Sequence, residues 1–234
     1  MLHRIADTIV EIPAHKDLEF RCRNYPLVGE SEADIIIRSE LFEAELYPGC
    51  SEDMVAYLES GWQFYSDLLK YNGMMLHASA VALDGHAYLF SGPCGMGKST
   101  HTRLWQQVFG KKAVVFNDDK PALRRLDNRW YAYGTPWCGK DGINVNMKVP
   151  LAGICFLKRG KENRIRRLDS MESLRSCMSQ TIYRLGPESM DLLLGHLDKL
   201  IREIPVFEME NLPVPDAARL SYETMRRAAE EVGL

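Results

Sequence analysis

Gly92-Pro93-Cys94-Gly95-Met96-Gly97-Lys98-Ser99 decides how the rest of the chain is read. It fits G-x-x-x-x-G-K-[ST], a pattern that average residue usage places by chance in roughly 1% of chains of this length. Its glycines let the backbone curl until several N–H groups point at one anion. The helix expected from Ser99 to Phe109 adds the partial positive charge of its N-terminus. The strand expected over Ala87–Phe90 leads into the loop. In this reading Lys98 reaches the β- and γ-phosphates of a nucleotide and the Ser99 hydroxyl binds Mg²⁺. The phosphate-binding set is Gly92, Pro93, Cys94, Gly95, Met96, Gly97, Lys98, Ser99 and Thr100.

Two further features flank the loop. Asp118-Asp119 lies about 20 residues beyond Lys98, at the end of the short apolar run Ala113–Phe116. One carboxylate there can hold Mg²⁺, directly or through water, and the other can take a proton from an incoming hydroxyl. Upstream, Met74 to Leu83 reads as a strand that turns at Asp84-Gly85 into the strand feeding the loop. His77 on that strand is a candidate ligand, donor or proton carrier.

Working outward, the pattern is hairpins around a single loop–helix unit. Asp127-Asn128 marks a second hairpin, returning through Trp130–Tyr133. Gly160 marks a third, between Gly153–Leu157 and Ile165–Leu168. Residues 1–50 read as strands and turns. Ser51 caps a helix over about 52–71, whose Val55, Leu58, Trp62, Tyr65 and Leu69 make one apolar stripe. Helices follow over about 170–184, 187–204 and 216–231, with a strand at Val206–Met209. A doubly wound parallel sheet would alternate strand and helix. The expected fold is therefore α/β with a mixed, largely antiparallel sheet, an inserted P-loop–helix unit, and helices toward the C-terminus. A single domain is expected, with N-terminal strands and helix over 1–72, a nucleotide-binding core over 73–169 and a helical part over 170–234.

Composition narrows the class. The chain has 234 residues, 46% hydrophobic and 26% charged, with 29 basic against 32 acidic side chains for a net charge of −3. That balance gives no reason to expect nucleic acid as a partner. No apolar run approaches the roughly 20 residues of a membrane span, and the start lacks a secretory leader. Cys22, Cys50, Cys94, Cys138, Cys155 and Cys177 are scattered, with no C-x-x-C pair, which points to reduced thiols in a cytoplasmic protein and to no zinc site.

His77, Gly92–Ser99 and Asp118-Asp119, in this order and spacing, resemble the catalytic domain of HPr kinase/phosphorylase, whose P-loop fold is shared with ATP-dependent phosphoenolpyruvate carboxykinases. The resemblance covers roughly residues 74–160. It implies ATP and Mg²⁺ as cofactors. It also implies one aspartate as base toward a hydroxyl and the other beside the metal, with Asp118 favoured as base and Asp119 as metal neighbour. Lys98 and His77 complete the implied catalytic set. Pro93-Cys94 stand where that family usually carries an acidic residue and a serine, and these residues offer no match to its regulatory N-terminal domain or to its later signature. HPr as acceptor and reverse phosphorolysis therefore lose support. The chain resembles the short HPr-kinase-like proteins, some of which phosphorylate serines on peptide precursors. The expected function is transfer of the γ-phosphoryl group to a hydroxyl, such as a serine of a protein or peptide. The alternatives are a small-molecule kinase or carboxykinase-like enzyme on the same fold, and a nucleotide-binding regulator without turnover. Assembly with further copies of the chain is left open.

Weaker features surround these. In the loop Gly134–Gly142, Trp137 is a candidate substrate cover and Lys140 a candidate partner for acceptor or phosphate charge. Asn144 and Asn146 follow at strand spacing. Lys158, Arg159, Lys161, Arg164, Arg166 and Arg167 read as a solvated basic hairpin, and His101 as packing or local surface.

Overall fold

The protein, a computed structural model, is described over residues 1–182 and 184–234. Strands β1 (Leu2–Ile5), β2 (Thr8–Glu11) and β3 (Ile35–Ile36) form a small sheet, joined by helix α1 (Lys16–Cys22) and followed by α2 (Glu52–Leu68). Next come β4 (Gly73–Met75), β5 (Ala78–Leu83), β6 (His86–Ser91), α3 (Lys98–Phe109), β7 (Val114–Asp119), β8 (Ala122–Leu126), β9 (Arg129–Tyr133) and β10 (Lys148–Arg159). The chain ends with β11 (Arg164–Arg167), α4 (Ser170–Met178), α5 (Pro187–Glu203), β12 (Val206–Asn211) and α6 (Pro215–Glu231). Strands β4 to β12 build one mixed sheet with the order β4-β8-β9-β10-β6-β5-β7, and β12 joins it between β10 and β11. The pairs β10–β6 and β10–β12 are parallel, and the other pairs of this sheet are antiparallel. The mixed, largely antiparallel α/β fold is thus the one expected.

Alternation of side chains along the strands splits the core between the two faces. Ala80 and Leu89 pack with Leu193, Leu197 and Leu200 of α5. Val81, Tyr88 and Phe90 pack with Trp105 of α3 and Met225 of α6. A third cluster joins the small N-terminal sheet and α2 to Ala122, Tyr133 and Trp137. Both tight hairpins occur as expected. Asp84-Gly85 (φ 49° and 79°) and Asp127-Asn128 (φ 49° and 62°) place both turn residues at positive φ, which matches the twist of the flanking strands.

Four expectations are corrected. The run from Met74 to Leu83 is two strands, because β4 pairs with β8 and β5 pairs with β6 and β7, so the chain steps between them at Leu76-His77. Gly160 does not close a hairpin: β12 lies between β10 and β11, pairing parallel to one and antiparallel to the other. Residues 16–22 are helical, though only Leu18 and Cys22 are buried, too few to leave a periodic signal in so short a helix. Helix α4 stops at Met178. It is opened by a capping box in which Asp169 accepts from the Glu172 N–H at 2.9 Å and the Glu172 carboxylate accepts from the Asp169 N–H. Tyr183, within the longer helix expected there, lies outside the described residues.

Helix α2 keeps its expected stripe and buries polar side chains beside it. Ser51 caps it, accepting the Met54 N–H at 3.3 Å. Val55, Tyr65 and Leu69 are buried as expected and Leu58 and Trp62 pack half-buried against the core, while Glu59, Ser60 and Gln63 are buried as well.

Candidate active site

Sheet register brings the functional candidates to one edge. Ala78, the first residue of β5, stands opposite Ser91, the last of β6, and opposite Asp119, the last of β7. His77, the loop from Gly92 and the chain at Lys120 therefore leave the sheet side by side. Gly92, Gly95 and Gly97 take φ of 137°, 79° and 92°. A Cβ on Gly92 would stand 3.1 Å from the Leu157 carbonyl of β10, so the loop lies close against that strand. Gly97 then leads into α3 at Lys98, whose first turn offers unbonded N–H groups to an anion. The Lys98 ammonium donates to the Gly92 carbonyl at 2.8 Å and the Pro93 carbonyl at 3.4 Å. Burial lowers the Lys98 pKa, opposed by the nearby charges of Asp119 and Asp118.

A cavity of about 550 Å³ lies over this edge. Cys94, Gly95, Gly97, Lys98, Ser99 and Thr100 form one wall, while Gly92, Pro93 and Met96 of the same loop are not part of the lining. His77, Asp118 and Asp119 line its floor. Arg21, Met54, Tyr57 and Leu58, with Gly139, Lys140 and Asp141, form the facing wall.

Asp119 is held from three directions. His77 Nε2 stands 3.3 Å from its Oδ1, the Tyr57 hydroxyl donates to its Oδ2 at 2.9 Å, and Lys120 Nζ pairs with the same oxygen. Burial pushes the Asp119 carboxyl upward, but the His77 hydrogen bond and the Lys120 charge outweigh it and hold the group well below the usual carboxylate range. The Tyr57 hydroxyl spends its one proton on Asp119 and accepts from Lys120 Nζ at 3.1 Å and the Gly139 N–H at 2.9 Å. The Tyr57 ring carries the Arg21 guanidinium 4.3 Å and the Lys120 ammonium 4.7 Å from its centroid. Buried Asn117 shapes the turn beneath, its Oδ1 accepting the N–H groups of Asp119 at 3.2 Å and Lys120 at 2.9 Å. His77 Nδ1 faces Gln180 Oε1 at 3.2 Å. The Asp118 carboxylate has no ion pair or side-chain hydrogen bond among the described residues and lines the open cavity.

No protein-family model matches the chain. No curated protein matches it. Among solved structures the chain is similar to an HPr(Ser) kinase/phosphatase from Coxiella burnetii, with 13% identity and a TM-score of 0.36, over 67% of this chain and 95% of that one.

Mg²⁺ takes hard oxygen donors and usually keeps only one or two from protein, the rest coming from phosphate and water. The Ser99 hydroxyl at the head of α3 and the open Asp118 carboxylate fit that donor chemistry. Asp119, expected beside the metal, lines the same cavity, its oxygens meeting His77, Tyr57 and Lys120. One expectation changes. Trp137 is not a substrate cover: it is 1% exposed, stacks on Phe64 at 4.5 Å and donates to Ser60 at 3.0 Å. Asn144 bridges to Asn117 and contacts Cys138, outside the cavity lining, and Asn146 is exposed elsewhere. Lys140 does line the cavity. The basic strand β11 is exposed, with Arg166 paired to Glu172 and Glu208. His101 is packing, held between Asn211 and Ser221, and burial pushes its pKa down to about 4 against the Asn211 hydrogen bond.

Tyr57, Lys120, Arg21 and Asn117 carry no motif. Asn117 and Lys120 flank the aspartate pair in sequence and so had a local signal, whereas Tyr57 and Arg21 reach the site only through packing of α1 and α2.

Proposed function

We propose that the chain is an ATP- and Mg²⁺-dependent phosphotransferase that moves the γ-phosphoryl group to a hydroxyl acceptor. The observation that carries this reading is the meeting, in one cavity, of a glycine-rich loop at a helix start with the carboxylate of Asp118 and the Asp119–Lys120–Tyr57–His77 network. Phosphoryl transfer needs positioning and charge compensation more than covalent chemistry. The loop amides and Lys98 bind the phosphate tail, with Lys98 exchanging its two loop carbonyls for phosphate oxygens. Bound Mg²⁺ would neutralise charge on the β- and γ-oxygens, held on the protein side by Ser99. Asp118, the unbonded carboxylate, orients the acceptor hydroxyl and takes its proton. Asp119 is a fixed anion that places Lys120 and His77 beside the transferring group. Incubation of the protein with γ-labelled ATP, Mg²⁺ and a panel of peptides and lysate fractions tests this: a labelled acceptor is expected. Absence of Mg-ATP uptake by folded protein in calorimetry would overturn it.

A further inference from the structure

Arg21, Lys98, Lys120 and Lys140 are the lysines and arginines that line the candidate active cavity. Lys98 belongs to the loop, Lys120 pairs with Asp119 on the floor, and Lys140 stands exposed at the rim. Arg21 differs from all three, because its root is fixed and its tip is not. It lies in the last turn of α1, on the wall that faces the glycine-rich loop. Its Nε donates to Asp17 Oδ2, one turn back, at 2.6 Å. Its guanidinium carbon lies 4.3 Å from the centroid of the Tyr57 ring. Nη1 stands 3.5 Å from the Gly139 carbonyl, at the far limit of a hydrogen bond.

A guanidinium carries five N–H donors in one plane. Asp17 takes one and Gly139, weakly, a second. The remaining donors, both of those on Nη2 among them, have no partner among the described residues. The side chain is only 21% exposed, so these donors face the cavity more than open solvent. A fork whose stem is already anchored pays little ordering entropy when an anion arrives. Tyr57 decides where that anion would sit. Its ring carries Arg21 and its hydroxyl donates to Asp119 at 2.9 Å, which ties the fork to the floor where the aspartates stand, across from Lys98.

We propose that Arg21 is a catalytic residue whose Nη1–Nη2 edge holds oxygens of the γ-phosphoryl group during its transfer, from the side opposite Lys98. The proposal rests on the phosphotransfer reading and adds to it a donor from outside the loop and the strand ends. In that step the bond from acceptor oxygen to γ-phosphorus forms. The bond from γ-phosphorus to the β–γ bridging oxygen breaks with its electron pair left on ADP, and the acceptor proton passes to Asp118. Midway, the flattened PO₃ group spreads charge over its equatorial oxygens, in a geometry that ATP itself lacks. A planar fork fixed in advance therefore favours the transition state over bound ATP. Helix α1 packs with the small N-terminal sheet, so that unit completes a site whose cradle it does not build.

Aluminium fluoride with Mg-ADP mimics the flattened phosphoryl group and can be used before the acceptor is known. Calorimetry of wild-type protein, Arg21→Lys and Arg21→Ala, with Mg-ADP alone and with Mg-ADP plus aluminium fluoride, makes the test. Wild-type protein is expected to hold ADP at least about a hundredfold more tightly when fluoride is present. Arg21→Lys keeps the charge and loses the planar fork, and should weaken the fluoride complex at least about tenfold. Arg21→Ala should weaken it at least about a hundredfold, with Mg-ADP affinity within about threefold in both variants. Fluoride complexes within about threefold of wild type in both variants overturn the proposal. So does an equal loss of Mg-ADP affinity, which would make Arg21 a prop for the wall or a ligand of the ground state. If Arg21→Ala does not fold, Arg21→Lys decides alone. Wild-type protein that binds Mg-ADP but no fluoride removes Arg21 from the step and leaves nucleotide binding standing. Wild-type protein that binds neither Mg-ADP nor Mg-ATP sinks the phosphotransfer reading, and this proposal with it.

Discussion

The two walls of the cavity are built by different means. On one side, nine consecutive residues from Gly92 to Thr100 form the cradle, and neighbouring strand ends supply His77 and the aspartates. On the other, Arg21, Tyr57 and Gly139 come from distant parts of the chain and meet only because α1 and α2 pack against the central sheet. The loop wall is local and legible as one motif, whereas the wall that faces it is a product of tertiary packing.

The sharpest way to break this contrast is at its floor. Asp118→Asn should lower turnover about 10³-fold, roughly 4 kcal/mol, with Mg-ATP affinity within about threefold. Steady-state kinetics beside calorimetry checks it, and an equal loss of Mg-ATP binding would move Asp118 from the acceptor to the nucleotide. Trp137→Ala should remove about 3–5 kcal/mol of folding stability, read by denaturant melting, because a buried stacked indole is lost. Below its new melting point that variant should still bind Mg-ATP, as expected if the cradle does not depend on the wall behind Trp137.

His101 probes the backing of the cradle. Its folded pKa is about 4, against 6.5 unperturbed. Between those values the unfolded chain binds a proton that the folded one refuses. Stability is thus fully present above about pH 6.5 and lost as pH falls toward 4, by roughly 2–4 kcal/mol. His101→Gln should flatten that slope in urea melts taken across the range, and an unchanged slope would show that other groups carry it. The smallest effect is expected at Tyr57→Phe, which removes the proton donated to Asp119 and the acceptor for Lys120 and Gly139. Turnover should fall about 5- to 30-fold, some 1–2 kcal/mol, with Mg-ATP affinity held.

Much of the sheet was legible because its turns are chemically explicit. Asp84-Gly85 and Asp127-Asn128 tolerate the positive φ that a two-residue hairpin demands. The loop–helix unit was legible for the same reason at Gly92, Gly95 and Gly97. The insertion of β12 between β10 and β11 was not: it pairs residues about fifty positions apart, and nothing near Gly160 announces it. Trp137 misled because a tryptophan in a glycine-bounded loop looks exposed until Phe64 and Ser60 of α2 are seen against it. The stripe on α2 was legible, with Val55, Tyr65 and Leu69 buried and Leu58 and Trp62 half-buried against the core, whereas nothing in the periodicity announced that Glu59 and Gln63 would be buried beside it. Lys120 was adjacent to the aspartates but gained meaning only when Tyr57 arrived from α2 to share it.

Asn211 ends β12, and its side chain reaches His101 Nδ1 at 3.1 Å and lies about 4.0 Å from where a Cβ on Gly97 would stand. The support under the cradle is therefore synthesised some ninety residues after the aspartates. On the phosphotransfer reading, a nascent chain carries every signature residue out of the ribosome well before it can grip a nucleotide. Fragments truncated ahead of Val206 should be inert toward ATP, so on this reading the activity waits for the synthesis of β12.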